Sequence, residues 1–137
     1  MKLYTEQILK LTTEIPHIGI INNADQVVCL RSPICGSSIT VYVNKYNGRI
    51  QEFKQEVNAC ALGQASASIL AKNVIGLDYK GINELHRSVK DMLEKNSPPP
   101  LPPFSSYELL RPAFDYKNRH ASIMLVIDAT KKALQEN

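Results

Sequence analysis

The stretch Ser38-Ile39-Thr40-Val41-Tyr42-Val43-Asn44-Lys45-Tyr46-Asn47-Gly48-Arg49-Ile50 decides the architecture. Ile39, Val41 and Val43 alternate with Ser38, Thr40 and Tyr42, the period of a strand that buries one face. Asn47-Gly48 tolerates positive φ at both positions and turns the chain back as a hairpin. The return strand runs from about Arg49 to Val57. Its apolar residues Ile50, Phe53 and Val57 do not keep one parity, which predicts a bulge between Ile50 and Phe53. Upstream, Val27-Val28-Cys29-Leu30 reads as a further short strand, joined to the hairpin by a loop over Pro33 to Ser37. The three strands are expected to form one antiparallel sheet.

Helical spacing surrounds this sheet. Leu3, Ile8, Leu9 and Leu11 suit a short amphipathic helix over 3–14. Residues 61–75 carry Ala61, Ala65, Ala67 and Ala71 with several serines, a helix small enough on its surface to lie close to a neighbour, and Gly76 is expected to end it. Residues 79–94 place Ile82, Leu85, Val89, Met92 and Leu93 on one side and charges on the other. His86 lies at the boundary of that stripe, and His17 lies in a loop. Ser97 to Pro103 is a stiff polyproline-like connector. Glu108 to Phe114 reads as one or two helical turns, and Ser122 to Leu134 as a C-terminal helix.

The 137 residues fit a single domain, 1–137. A chain this long buries roughly 65–70% of its unfolded surface and needs no disulfide to hold a core. With a formal charge of +3 and no basic stripe, nucleic acid is not the expected partner. No apolar run approaches the ~20 residues of a membrane span, and no apolar segment follows Met1 as a leader would require. The three cysteines therefore read as those of a cytoplasmic, reducing setting, where thiols serve as ligands, nucleophiles or core residues.

Two of those thiols sit where the chain changes direction. Cys35 lies in the turn Ser32-Pro33-Ile34-Cys35-Gly36-Ser37, and Cys60 lies where a strand ends and a helix begins, in Ala59-Cys60-Ala61. Thiols at helix starts are favoured as thiolates, the form that binds metals or attacks sulfur. His120 opens a third element. Two thiols and an imidazole from separate segments suit zinc or an iron–sulfur centre. Cys29 sits among Val27, Val28 and Leu30 and reads first as a core residue, second as a substitute ligand.

Ser-Pro-Ile-Cys-Gly-Ser, the Gly48-Arg49-Ile50 hairpin, Ala59-Cys60-Ala61 and Arg119-His120-Ala121-Ser122 together resemble the iron–sulfur cluster scaffold family of IscU, SufU and NifU N-terminal type. The resemblance covers about residues 26 to 134. It implies an α+β fold of IscU/SufE-like type, a three-stranded antiparallel sheet packed by helices that include a long C-terminal one. It also implies a non-enzymatic scaffold or carrier that binds a transient iron–sulfur cluster, iron or zinc. The implied partners are a cysteine desulfurase and apo iron–sulfur recipients. Cys35 and Cys60 match the family's first and second cysteines, and His120 the histidine before the third.

The chain departs from this pattern twice. Ser37 stands where the family has aspartate, and Ala121 where it has the third cysteine. Alanine cannot ligate, and a serine hydroxyl is a poor ligand for soft ions. Arg119 neighbours the site as an anion contact or a solvated side chain. Two alternatives stay open beside the scaffold: a sulfur acceptor carrying a persulfide on Cys35 or Cys60, and a metal-free scaffold acting through protein contacts.

Overall fold

The computed structural model describes residues 3–34 and 36–135. Strands β1 (Gln26–Arg31), β2 (Ser38–Tyr46) and β3 (Arg49–Asn58) form an antiparallel sheet in the order β1-β2-β3. The hairpin turns at Asn47 (φ 52°) and Gly48 (φ 76°), a left-handed pair that matches the twist of the strands it joins. Asn44 faces Glu52 while Lys45 faces Ile50, so Gln51 is the extra residue. The bulge thus falls inside the expected interval. It resets the parity, so Ile50 and then Phe53 and Gln55 are all buried on one face.

Register decides the fate of Cys29. Val28 pairs with the buried Val41, so it turns inward; Cys29 pairs with Thr40 and lies exposed on the outer face. The core expectation for Cys29 is thereby corrected. Four apolar residues in a row carry no parity of their own, and the pairing with β2 supplies it.

On the far side of β3, residues 17–19 run alongside. Gln55 N–H donates to the His17 carbonyl (2.9 Å), and Gly19 N–H donates to the Gln55 carbonyl (3.0 Å). His17 is in a loop, as expected, with its ring edge-on to Phe53 at 6.2 Å.

Of the helices α1 (Glu6–Thr13), α2 (Ala61–Lys72), α3 (Tyr79–Lys95) and α4 (Lys117–Leu134), α2 and α4 lie against the sheet, and α1, α3 and a 3-10 helix over Ser105–Asp115 pack on them. Helix α4 is the centre of the molecule, packed against β1, β2, α2, α3 and the 3-10 helix. It is accordingly buried on most sides, through Ile123, Val126, Ile127, Ala129 and Ala133. It starts five residues before the expected Ser122, because Lys117, Asn118 and Arg119 add no apolar period. Helix α2 is shorter than expected and ends at Asn73. Gly76 instead belongs to a turn that reaches back to the sheet: its N–H donates to the Ile50 carbonyl (2.7 Å), and Ile50 N–H donates to the Leu77 carbonyl (2.9 Å).

Polar contacts tie these layers together. Asp78 caps α3 through Gly81 N–H (2.8 Å). His86 on α3 meets Asp128 on α4, Nε2 to Oδ1 at 2.9 Å. Burial pushes the Asp128 carboxyl above its ordinary range, and His86 opposes that shift. On the outer sheet face the Tyr42 hydroxyl donates to Glu56 Oε1. That hydrogen bond, followed by burial, raises the Tyr42 hydroxyl above its ordinary value.

Candidate functional site

Cys60 is the N-cap of α2, yet its side chain does not cap that helix. Thr5 caps α1 and Asp78 caps α3 through their oxygens, so α2 forgoes a contribution of about 1 kcal/mol that Ser or Asp would supply there. The Cys60 sulfur points across to α4 instead. Its Sγ lies 3.1 Å from Ser122 Oγ, and Ser122 Oγ lies 3.4 Å from Ser37 Oγ. Ser37 and Ser122 are 4% and 2% exposed, while Cys60 is half-buried. Three segments thus converge: the loop before β2, the head of α2 and the first turns of α4.

Gly63 makes that convergence sterically feasible. A Cβ on Gly63 would lie 2.5 Å from Ser122 Oγ and 2.8 Å from Ala59 Cβ. Cys60 and Gly63 are one helical turn apart and share a face, so the cysteine and the gap that admits Ser122 lie side by side. Neither Ser122 nor Gly63 is marked by sequence reading as functional. The available signal is the spacing Cys60-x-x-Gly63 together with the serine directly after Ala121.

The remaining expected residues are placed as follows. Cys35 lies outside the described residues. The loop around it is closed by Ser32 N–H donating to the Ser37 carbonyl (2.7 Å) and by Gly36 N–H donating to the Ser32 carbonyl (3.0 Å). His120 is half-buried in α4, and its Nε2–H donates to the Ala113 carbonyl at 2.7 Å. In the neutral ring this leaves Nδ1 as the lone-pair nitrogen.

His120 and Ser122 are two residues apart, about 200° around the helix, so they face different ways. His120 lines a cavity of about 950 Å³ with Leu93, Glu94, Phe114, Tyr116 and Lys117. Arg119, three residues before Ser122, shares its side of α4; none of the ion pairs among the described residues includes it. Ala121 is half-buried beside them. Among the described residues no three His, Cys, Asp or Glu side chains group as metal ligands.

Cys29 is on the outer face of an edge strand, away from this cluster in the fold. It is expected to react before Cys60 when the protein meets iodoacetamide. Peptide mapping at early times should find Cys29 carboxamidomethylated several-fold more than Cys60; equal labelling would contradict the difference in burial.

The chain belongs to the NifU-like N terminal domain family, whose model matches residues 3–121. Over 90 residues it is 30% identical to the iron-sulfur cluster assembly scaffold protein IscU of Thermotoga maritima, covering 66% of this chain and 63% of that one. It is 26% identical over 89 residues to the scaffold protein IscU 1 of Archaeoglobus fulgidus, covering 65% of this chain and 56% of the relative. The match therefore spans less than two thirds of these relatives.

Among solved structures, an N-terminal NifU-like protein from Brucella abortus superposes with a TM-score of 0.93 at 37% identity, covering 96% of this chain and 92% of that one. The SUF-system scaffold FiSufU from Fervidobacterium islandicum superposes with a TM-score of 0.85 at 23% identity, covering 97% of both chains; this second likeness concerns the fold alone. The α+β architecture, with its antiparallel sheet of three strands, is that of this family. No described helix is long and apolar enough to cross a membrane.

Proposed function

We propose that this chain is an iron–sulfur cluster assembly scaffold or carrier, non-enzymatic and cytoplasmic, that takes iron, a cluster or zinc as cargo on Cys60 and Cys35. One observation carries the reading: Ser37, two residues after Cys35, and Cys60 meet on the same Ser122 hydroxyl. The loop that bears Cys35 is thereby anchored at the head of α2. Thiolates suit soft and borderline ions; His120 faces a different way from Ser122 and is not counted among the donors at Cys60. Ser37 and Ala121 replace two ligands of the family pattern, so cargo is held by few bonds from this chain and the shell is completed by water or by a partner. A cysteine desulfurase would supply sulfur, and apo iron–sulfur proteins would receive the product. Anaerobic protein given Fe²⁺ and sulfide is expected to develop visible sulfur-to-iron absorption, lost in Cys60→Ser and in Cys35→Ser. A colourless wild type with no metal retained after desalting would sink the proposal.

A second reading is favoured by the hydroxyl at the Cys60 sulfur. In it Cys60 accepts sulfur as a persulfide and builds no cluster. The Cys60 thiolate attacks the outer sulfur of the desulfurase persulfide; one S–S bond forms, the other breaks, and the desulfurase thiolate departs. No outside oxidant is needed. Incubation with a desulfurase and cysteine should then add the mass of one sulfur atom at Cys60 and leave Cys29 unmodified.

A further inference from the structure

Ser122 has one hydroxyl proton and two close neighbours, the Cys60 sulfur at 3.1 Å and the Ser37 hydroxyl at 3.4 Å. We propose that Ser122, backed by Ser37, is a positioning residue that holds the Cys60 sulfur in one orientation with or without its cargo. The proposal rests on the reading of Cys60 as the cargo-binding thiol.

The chemistry follows from counting protons. A neutral Cys60 thiol can donate to Ser122, which then donates to Ser37. A thiolate, or a sulfur bound to a metal, only accepts. Ser122 must then donate to the sulfur and accept from Ser37. Hydroxyl rotors reverse direction without moving heavy atoms, so the same three-atom chain serves both states.

The setting favours this role. Both serines are buried, so water does not compete for their protons, and chained hydrogen bonds reinforce one another in such surroundings. Gly63 leaves the space that the Ser122 hydroxyl occupies. The Cys60 side chain is not engaged in capping its own helix and is available to this contact. Serine at 37 therefore acts where the family pattern has a ligand, and Ser122 acts beside the position of the missing third cysteine. In place of ligands, the site has groups that orient the ligand it keeps. Such outer partners commonly change metal affinity about 10–100-fold when removed.

Two measurements test this, one of them free of metal. In the metal-free Cys29→Ser/Cys35→Ser chain, the Raman S–H stretch reports Cys60 alone. It is expected below the frequency of a free thiol, to move up to that frequency in Ser122→Ala, and to move part of the way in Ser37→Ala. In the Cys29→Ser chain, Co²⁺ alone should produce a thiolate-to-cobalt band. Ser122→Ala should weaken Co²⁺ binding about 10-fold and shift the band to longer wavelength, because the sulfur lone pair loses a hydrogen bond; Ser122→Thr, which keeps the hydroxyl, should retain it. Thermal melts identify any variant that fails to fold, and Ser37→Ala then decides from outside the α2–α4 seam. An S–H frequency unchanged in both alanine variants overturns the proposal. Absence of any thiolate–cobalt band in the parent overturns the metal-binding reading instead, and the S–H stretch still decides the role of Ser122.

Discussion

Tyr107→Ala is expected to cost about 3–5 kcal/mol, the range for deleting a fully buried aromatic ring. Tyr107 is 0% exposed in the 3-10 helix, and its hydroxyl joins a polar cluster in the core. It lies 3.0 Å from Ser66 Oγ and donates to the Ser66 carbonyl at 3.1 Å, while Ser66 Oγ donates to the Ile123 carbonyl at 2.7 Å. Tyr107 and Ser66 together thus tie the 3-10 helix, α2 and α4 to one another.

Tyr107→Phe separates the ring from the hydroxyl and should cost about 1 kcal/mol near neutrality. Burial raises the Tyr107 hydroxyl well above its ordinary 10.0, with the Ser66 hydrogen bond opposing. The folded state therefore holds this proton more tightly than the unfolded state does. That contribution to stability is complete below pH 10 and is lost as pH rises past it. The gap between wild type and Tyr107→Phe should consequently narrow on going from about pH 8 to about pH 11. Urea midpoints at the two pH values measure it. A gap that widens, or a Tyr107→Ala chain as stable as wild type, would refute the buried network.

The parts of this fold legible in the sequence are those fixed by neighbours. Asn47-Gly48 makes its own turn, and the broken parity between Ile50 and Phe53 announces the bulge that falls at Gln51. What depends on distant partners is not legible. Val27 to Leu30 are apolar throughout, so only the pairing of Val28 with Val41 exposes Cys29. The first turn of α4 is polar and Lys117 and Asn118 are exposed, so no apolar period marks its start. Tyr107 is likewise unremarkable until Ser66, 41 residues away, supplies its hydrogen bonds.

The candidate site divides in the same way. Cys60 at a strand-to-helix junction can be read locally, because both flanking patterns are strong. Its partner cannot: Ser122 is 62 residues further along the chain, and nothing in Arg119-His120-Ala121-Ser122 says that the serine, rather than the histidine, turns toward the thiol. A helix resolves this, since its period sends His120 and Ser122 in different directions. The small side chains of α2, Gly63 at its spacing from Cys60 among them, are an advance sign, and they allow the close approach that brings Ser122 in.

That approach makes Gly63 the residue where fold and site are the same problem, and Gly63→Ala the sharpest test of it. Inside a helix, alanine is favoured over glycine by about 1 kcal/mol, so propensity alone predicts a gain. Geometry predicts a loss. The new Cβ would sit 2.5 Å from Ser122 Oγ, 2.8 Å from Ala59 Cβ and 3.2 Å from the Ser122 carbonyl oxygen. The hydroxyl could rotate away, but Ala59 Cβ and the carbonyl belong to the backbone framework and must move with it. Overpacking of this kind costs about 1–3 kcal/mol, which exceeds the helical gain through most of its range.

The expected net result is a destabilisation of about 0–2 kcal/mol, these two terms subtracted, together with separation of α2 from α4 and loss of the Cys60–Ser122 contact. Gly81→Ala is the matched control. There the nearest atom is Leu77 Cδ1 at 2.7 Å, the flexible end of a side chain on the rim of α3, so that variant should be neutral or slightly stabilised. Denaturation midpoints rank the two, and the Cys60 S–H stretch reports the contact directly. A Gly63→Ala chain as stable as Gly81→Ala, with the stretch unchanged, would mean that α2 and α4 are not held together at Gly63, and the cluster at Cys60 would lose its structural basis.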